Sequence, residues 1–340
     1  MGIHPECDSE PLTNVDTTIR PGTEEIHMRS LLLTIGLLLF GFLLAVSAQQ
    51  YKISGRIPLD GEGGWDYLAV DSMNGQLYVS HGTEVVVVDL ASQSPISKIT
   101  GMKRIHGIAV ANDLNRGFIS DGGDDVVVIF DLKSHSVLQK VAAGKNPDGI
   151  LYDPYSKRVF AFNGRSNDVT AIDAASGKVA GTVVLDGKPE FPVSDRKGNI
   201  YANIEDKSEI VQLDPQALKV KKIWPLSPCE EPSGLAIDEE TRRLFSVCSN
   251  KKMAIVNADS GQVVVATVAI GEDPDAAAYD PGSKLAFSSN GEGTLTVVRQ
   301  DGADKYTVLA NVPTERSART MALDTKTHKI YLSAASRSCA

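Results

Sequence analysis

One repeat constrains this chain more than any other feature. It reads most cleanly over 146–188, NPDGILYDPYSKRVFAFNGRSNDVTAIDAASGKVAGTVVLDGK. Four short apolar runs, GILYD, KRVFAF, VTAID and VAGTVVL, are separated there by Asp/Pro, Asn/Gly or Ala/Ser/Gly turns. The runs are rich in β-branched and aromatic residues, so each reads as a strand. Four strands in about 42 residues is the period of a propeller blade, in the range of WD40-like repeats.

Anchored on the aspartate that usually ends the first strand, the repeat recurs as DYLAVD (66–71), HGIAVA (106–111), DGILYD (148–153), EFPVSD (190–195), SGLAID (233–238), DAAAYD (275–280) and RTMALD (319–324). The spacings are 40, 42, 42, 43, 42 and 44 residues. Second, third and fourth strands follow, for example QLYVSH, VVVVDL and ISKI in the first repeat. Apolar alternation is only partial, as expected of a sheet covered on both faces. The expected fold class is all-β, a seven-bladed β-propeller closed into a ring that protects its sheet edges. The segment 51–59 (YKISGRIPL) matches the fourth strands and should complete the seventh blade from the N-terminal side. After IYLSA (330–334) only six residues remain, too few for a turn and a third strand. The last blade is therefore expected to be missing one strand. The sequence is truncated there, or 51–59 pairs directly with the second strand. Either way, the seventh blade should be the least protected part of the protein.

The domain reading places a polar leader at 1–27, a signal peptide at 28–48 and a single propeller domain at 49–340. Met28-Arg29-Ser30 is a short positive start, 31–46 is an apolar run, and Val46-Ser47-Ala48 is a small-residue cleavage site. The run is shorter than the ~20 residues a spanning helix needs, so cleavage is favoured over an uncleaved anchor. The leader lacks periodicity, which leaves Met28 as the true start or the leader as disordered. This predicts an exported protein, periplasmic or extracellular, with no membrane span after cleavage.

Charge and cysteine usage narrow the partners. The chain has 34 Lys and Arg against 43 Asp and Glu; without 1–48 there remain 32 bases and 37 acids, a net −5. A mildly acidic chain without basic clusters is unsuited to nucleic acid. The expected partner is a polar small molecule, a peptide or a cell-envelope protein, and the protein is expected to be a monomer. Cys229 and Cys248 fall just before the first strand and at the end of the second strand of the fifth repeat, on the same face of a blade. Export implies an oxidising compartment, so they are expected to form a disulfide, with two buried thiols as the alternative.

The repeat also locates a candidate site. First strands line a propeller channel, and their leading residues stand at its mouth. Five positions before each anchor stand Asp66, His106, Asp148, Glu190, Ser233, Asp275 and Arg319, six of them ionisable. A structural repeat needs no charge there, and crowded charges are costly. Turns between second and third strands reach the same face with His81, Asp121, Asp124, Asn163, Arg165, Asn167, Glu205, Asn250, Asn290 and Glu292. Tight turns demand Asn, Asp and Gly for their own reasons, which is the competing account of Asn163 and Asn290. No turn type requires Arg165 or Glu205.

The Asn/Gly turns and β-rich runs such as SNDVTAIDAASGKVAGTV resemble the YVTN-type repeat of YncE-like seven-bladed propeller proteins of bacteria. The resemblance covers roughly 50–340 and implies an exported, periplasmic or cell-surface binding role. Related propellers include lactonases and a streptogramin lyase, so fold alone does not give function. Three readings of the rim follow. It is a binding surface without chemistry; or it holds Ca²⁺ or Mg²⁺ on Asp66, Asp148, Glu190 and Asp275; or it is a metal-assisted lactonase-like hydrolase or lyase. The last would use His106 or Glu190 as base and Arg319 to steady an anion. Haem, nucleophile-elbow and P-loop signatures are absent from the sequence.

Overall fold

The computed structural model describes residues 14–22, 50–61 and 64–334 as a β-propeller of antiparallel sheets. Six blades are each made of four consecutive strands. Blade 1 runs from Trp65–Asp71 to Ser94–Ile99, blade 2 from Ile105–Ala111 to Val137–Ala142, and blade 3 from Pro147–Asp153 to Val179–Val184. Blade 4 runs from Pro189–Ser194 to Lys219–Pro225, blade 5 from Pro232–Asp238 to Val263–Ala269, and blade 6 from Pro274–Asp280 to Lys305–Pro313. Third strands such as Val126–Asp131 and Asp168–Asp173 bury four successive residues, because neighbouring sheets cover both faces. Fourth strands such as Val137–Ala142 form the exposed outer edge. No helix among the described residues is long and apolar enough to cross a membrane.

The expectation of seven blades is corrected: six blades are built from consecutive strands, and the remaining sheet, expected to be closed by the N-terminal strand and to lack a strand, is composite. Its order is Gln50–Pro58, Asn14–Gly22, Lys329–Leu332, Met321–Asp324. Gln50–Pro58 does return to the C-terminal repeat, as expected, but no strand is missing. Asn14–Gly22 occupies the vacant place, antiparallel to Gln50–Pro58 from Asn14 opposite Pro58 to Gly22 opposite Gln50, with Thr17 opposite Tyr331 on its other side. That strand lies within 1–27, the segment expected to be a mis-started or disordered leader. The cause is physical: a local repeat cannot register pairing between segments remote in sequence. The expected signal segment 28–48 lies outside the described residues.

The composite sheet sits between blades 6 and 1. The Ala276 N–H donates to the Arg319 carbonyl at 3.2 Å, and the Thr320 and Ser333 hydroxyls donate to the Asp66 carbonyl at 2.8 and 3.2 Å. Apolar cores fill the junctions between sheets. Tyr78, Val87, Ile119 and Phe130 pack between blades 1 and 2, and Ile57, Leu77, Val79 and Tyr331 between the composite sheet and blade 1. Burying each such side chain is worth about 1.5–3 kcal/mol.

The recurrent aspartate is a structural device. Asp71, Asp153, Asp195, Asp238, Asp280 and Asp324 are all buried. Asp153 accepts the Ser156 N–H at 2.9 Å and Asp238 the Glu240 N–H at 3.0 Å, which closes the turn into the second strand. A second contact crosses to the neighbouring blade: Ser194 Oγ donates to Asp153 at 2.6 Å, and Gln300 Nε2 to Asp238 at 3.0 Å. Burial would raise Asp195 and Asp238, yet the hydrogen bonds they accept outweigh it and hold both below the ordinary range. Cys229 and Cys248 form the expected disulfide, with Cα atoms 5.7 Å apart.

Candidate functional site

Each blade's first strand is bulged where it begins. Its ladder with the second strand skips between Trp65 and Leu68, Ile105 and Ile108, Pro147 and Ile150, Pro189 and Pro192, Pro232 and Leu235, and Pro274 and Ala276. Bulges bend a strand and re-aim a side chain. The residues released from the ladder include Asp66, His106, Asp148, Glu190, Ser233 and Asp275. Arg319, just before Met321–Asp324, takes the corresponding place in the composite sheet. Several of these positions are clamped from the preceding sheet. Ser80 Oγ donates to the His106 carbonyl and Ser120 Oγ to the Asp148 carbonyl, both at 2.5 Å. Asn203 Nδ2 donates to the Ser233 carbonyl at 2.9 Å, and Ser289 Oγ donates to the Arg319 carbonyl.

These side chains meet as a partly desolvated charge cluster. His106 Nδ1 lies 2.7 Å from Asp66 and 3.8 Å from Asp148; Lys188 lies 2.7 Å from Glu190 and also pairs with Glu205; Arg319 Nε lies 3.2 Å from Asp275. Burial, with the Asp148 charge beside it, pushes Glu190 up to about 7 despite the Lys188 ammonium. Burial likewise pushes Asp275 up to about 7 against the pull of Arg319, with Asp66, Asp148 and Asp273 adding to the rise. Asp148 is raised by burial against the pull of His106. Burial works to lower His106, but its hydrogen bond to Asp66 and the charges of Asp148 and Asp66 raise it.

Beneath the rim two aromatic rings meet. Tyr67 of blade 1 and Phe191 of blade 4 meet with centroids 5.3 Å apart. Blades 1 and 4 stand well apart around the ring, so this contact spans the channel. Tyr67 is 6% exposed. Its phenol is driven well above its usual range by burial and by the charges of Asp275, Asp148, Glu190 and Asp66. On the far side of the pair lies a separate cavity of about 640 Å³, lined by Leu151, Val193, Ile237 and Tyr279, with Arg196 and Glu239 at 3.5 Å from each other.

The structure thus gathers Asp66, His106, Asp148, Glu190, Asp275 and Arg319, with Glu205 joined through Lys188. It corrects other candidates. Asn163 is fully buried and donates to Asp168 at 2.6 Å and Thr170 at 3.0 Å. Asn290 is fully buried and donates to Thr294 and Thr296, both at 3.0 Å. Both stabilise their own hairpins, as turn chemistry demands. His81 is buried and stacked on Trp65 with centroids 4.0 Å apart, and neither of its ring nitrogens has a hydrogen-bond partner. Glu292 accepts the Thr294 hydroxyl at 2.8 Å, and Arg165 is exposed on its turn. His106 has Asp66 on Nδ1, while its Nε2 is buried without a partner. Among the described residues no group of three or more His, Cys, Asp or Glu is gathered to hold a metal ion, so Asp66, Asp148, Glu190 and Asp275 are not arranged as a chelate.

Sequence reasoning missed Tyr67, Phe191, Arg104 and Lys188. The position after each rim residue reads Tyr67, Gly107, Gly149, Phe191, Gly234, Ala276 and Thr320, two aromatics among small residues. A Cβ at Gly149 would stand 2.9 Å from the Glu190 carbonyl oxygen, and one at Gly234 2.6 Å from the Asp275 carbonyl oxygen. Small residues there let the next strand approach, so the two rings mark departures with another purpose.

No protein-family model and no curated protein matches the sequence. Solved structures do match the fold. The WD40 repeats of RRP9 are similar with a TM-score of 0.71 and 8% identity, over 82% of this chain and 89% of that chain. A chain of a mitotic checkpoint complex gives 0.69 and 14% over 80% and 87%, and a hydrazine synthase from Kuenenia stuttgartiensis gives 0.62 and 14% over 78% and 91%. These similarities are to β-propellers and concern architecture alone.

Proposed function

We propose that this protein is a binding module whose docking surface is the charged mouth of the central channel. One observation carries the reading: bulged first strands from separate blades deliver Asp66, His106, Asp148, Glu190 and Asp275 to one rim, with Arg319 beside them. Neither the ladder nor the blade cores need these charges, and their burial is costly. A polar small molecule, a peptide or a cell-envelope protein fits such a rim. The composite sheet lies between blades 6 and 1, where the resemblance to YncE-like propellers would put a seventh blade. Export is supported by the apolar run 31–46 and the small residues 46–48. Cleavage after Ala48 would remove Asn14–Gly22 and leave a three-stranded composite sheet.

The test compares wild-type protein with Asp66→Asn/Asp148→Asn in quantitative capture from a cell-envelope extract, with melting followed in parallel. Loss of the captured species at an unchanged melting midpoint is the expected result. Equal capture by both proteins would overturn the reading.

A further inference from the structure

The occupant of the mouth can be specified further, on the premise that the mouth is the docking surface. We infer that it receives a protonated primary amine, such as a lysine side chain, seated over the Tyr67 hydroxyl and walled by Asp148, Glu190 and Asp275.

Two groups are unspent. Tyr67 is more than nine-tenths buried, directly follows Asp66, meets Phe191, which directly follows Glu190, at a centroid distance of 5.3 Å, and its hydroxyl makes no hydrogen bond among the described residues. The Asp148 carboxylate likewise makes none there; its nearest cation is His106 at 3.8 Å, and His106 is already bonded to Asp66. The other carboxylates have partners at the periphery, Glu190 with Lys188 and Asp275 with Arg319. Asp273 and Glu205 add acid nearby, while Arg104 adds a base. The acids Asp66, Asp148, Glu190, Asp275, Asp273 and Glu205 outnumber the bases Arg104, His106, Lys188 and Arg319, so the centre lacks a cation.

The acceptor arrangement selects the kind of cation. A bare Ca²⁺ needs six to eight oxygens at about 2.3–2.6 Å, and no such group is gathered among the described residues. A guanidinium wants a planar fork of acceptors. Here acceptors come from blades 1, 3, 4 and 6 around a central phenol, which suits the three rotatable donors of an ammonium. Cation entry also has a proton signature. Glu190 and Asp275, raised to about 7, hold a proton part of the time at neutral pH and would release it as the amine binds.

The probe is Nα-acetyl-lysine methylamide, titrated calorimetrically against the full chain. Its Nε-acetylated form, the arginine analogue and the glutamate analogue serve as controls. The lysine probe should bind at least about tenfold more tightly than its Nε-acetylated form, the scale of losing hydrogen bonds to a charged group. It should tighten from pH 6 to pH 8 and release protons across buffers of different ionisation enthalpy. Tyr67→Phe, which keeps the ring against Phe191, should weaken it by about tenfold. Asp148→Asn should do the same if the Tyr67 variant fails to fold. Equal binding of lysine and Nε-acetyl-lysine probes, no binding of the lysine probe, or tighter arginine binding would overturn the inference. Tighter binding of the glutamate probe, lost in Arg319→Ala, would overturn the amine and leave the mouth reading standing. Partner capture indifferent to rim substitutions would bring down both.

Discussion

Glu190 and Asp275 are acids held in a setting that favours their neutral form. Each binds its proton more tightly in the folded protein than in the unfolded chain. The stability that this protonation lends is fully present below the unfolded value, near 4.5 for Glu190, and is lost as pH rises through about 7. Glu190→Gln should therefore raise the melting midpoint at pH 8 and leave it nearly unchanged at pH 4, as read by calorimetry at both pH values. The gain has an upper bound of about 3 kcal/mol from a shift of this size, less what Lys188 returns when the ion pair is lost. A lower midpoint for the variant at pH 8 would show that the ion pair dominates. At this scale the rim was legible, because a repeat aligns with itself and Asp148 or Asp275 stands out against structural need. Asn163 and Asn290 were not separable from it, since a turn and a ligand ask for the same amide. Tyr67 and Phe191 read as ordinary core residues because apolar strands line both core and channel.

The composite sheet is the element whose construction the sequence concealed. Its Gln50–Pro58 strand could be recognised by likeness to other fourth strands, but Asn14–Gly22 (NVDTTIRPG) resembles no third strand and contains Pro21 and Gly22. Its pairing is non-local, and such pairing leaves no periodic trace. Hydrogen exchange should detect its contribution: in the 28–340 chain, which lacks this strand, amides of Lys329–Leu332 and Gln50–Pro58 should exchange faster than in the full chain. Identical protection in both would show that the strand contributes nothing there. The disulfide was easier to foresee, because two cysteines at matched ends of adjacent strands sit close in any blade. The bridge closes a sequence separation of 19 residues, worth about 3 kcal/mol in the chain-entropy account. Reducing agent, or Cys229→Ser/Cys248→Ser, should lower the denaturation midpoint by a corresponding amount, measured by equilibrium unfolding.

For the whole molecule, sequence periodicity sufficed for the β-propeller class, though not for the composite sheet, because nearly every repeat carries its own turns, anchor aspartate and two-sided core. Function was less legible, since one ring serves many partners and only the rim differs from blade to blade. The Tyr67–Phe191 contact bears on how the ring exchanges material with its surroundings. The axis carries a charged mouth and, apart from it, a cavity of mixed lining in which Leu151 and Ile237 stand beside Arg196, Asp238 and Glu239, with the Tyr67–Phe191 pair between blades 1 and 4. Occupants of the mouth and of the cavity would therefore approach the same aromatic pair from different sides.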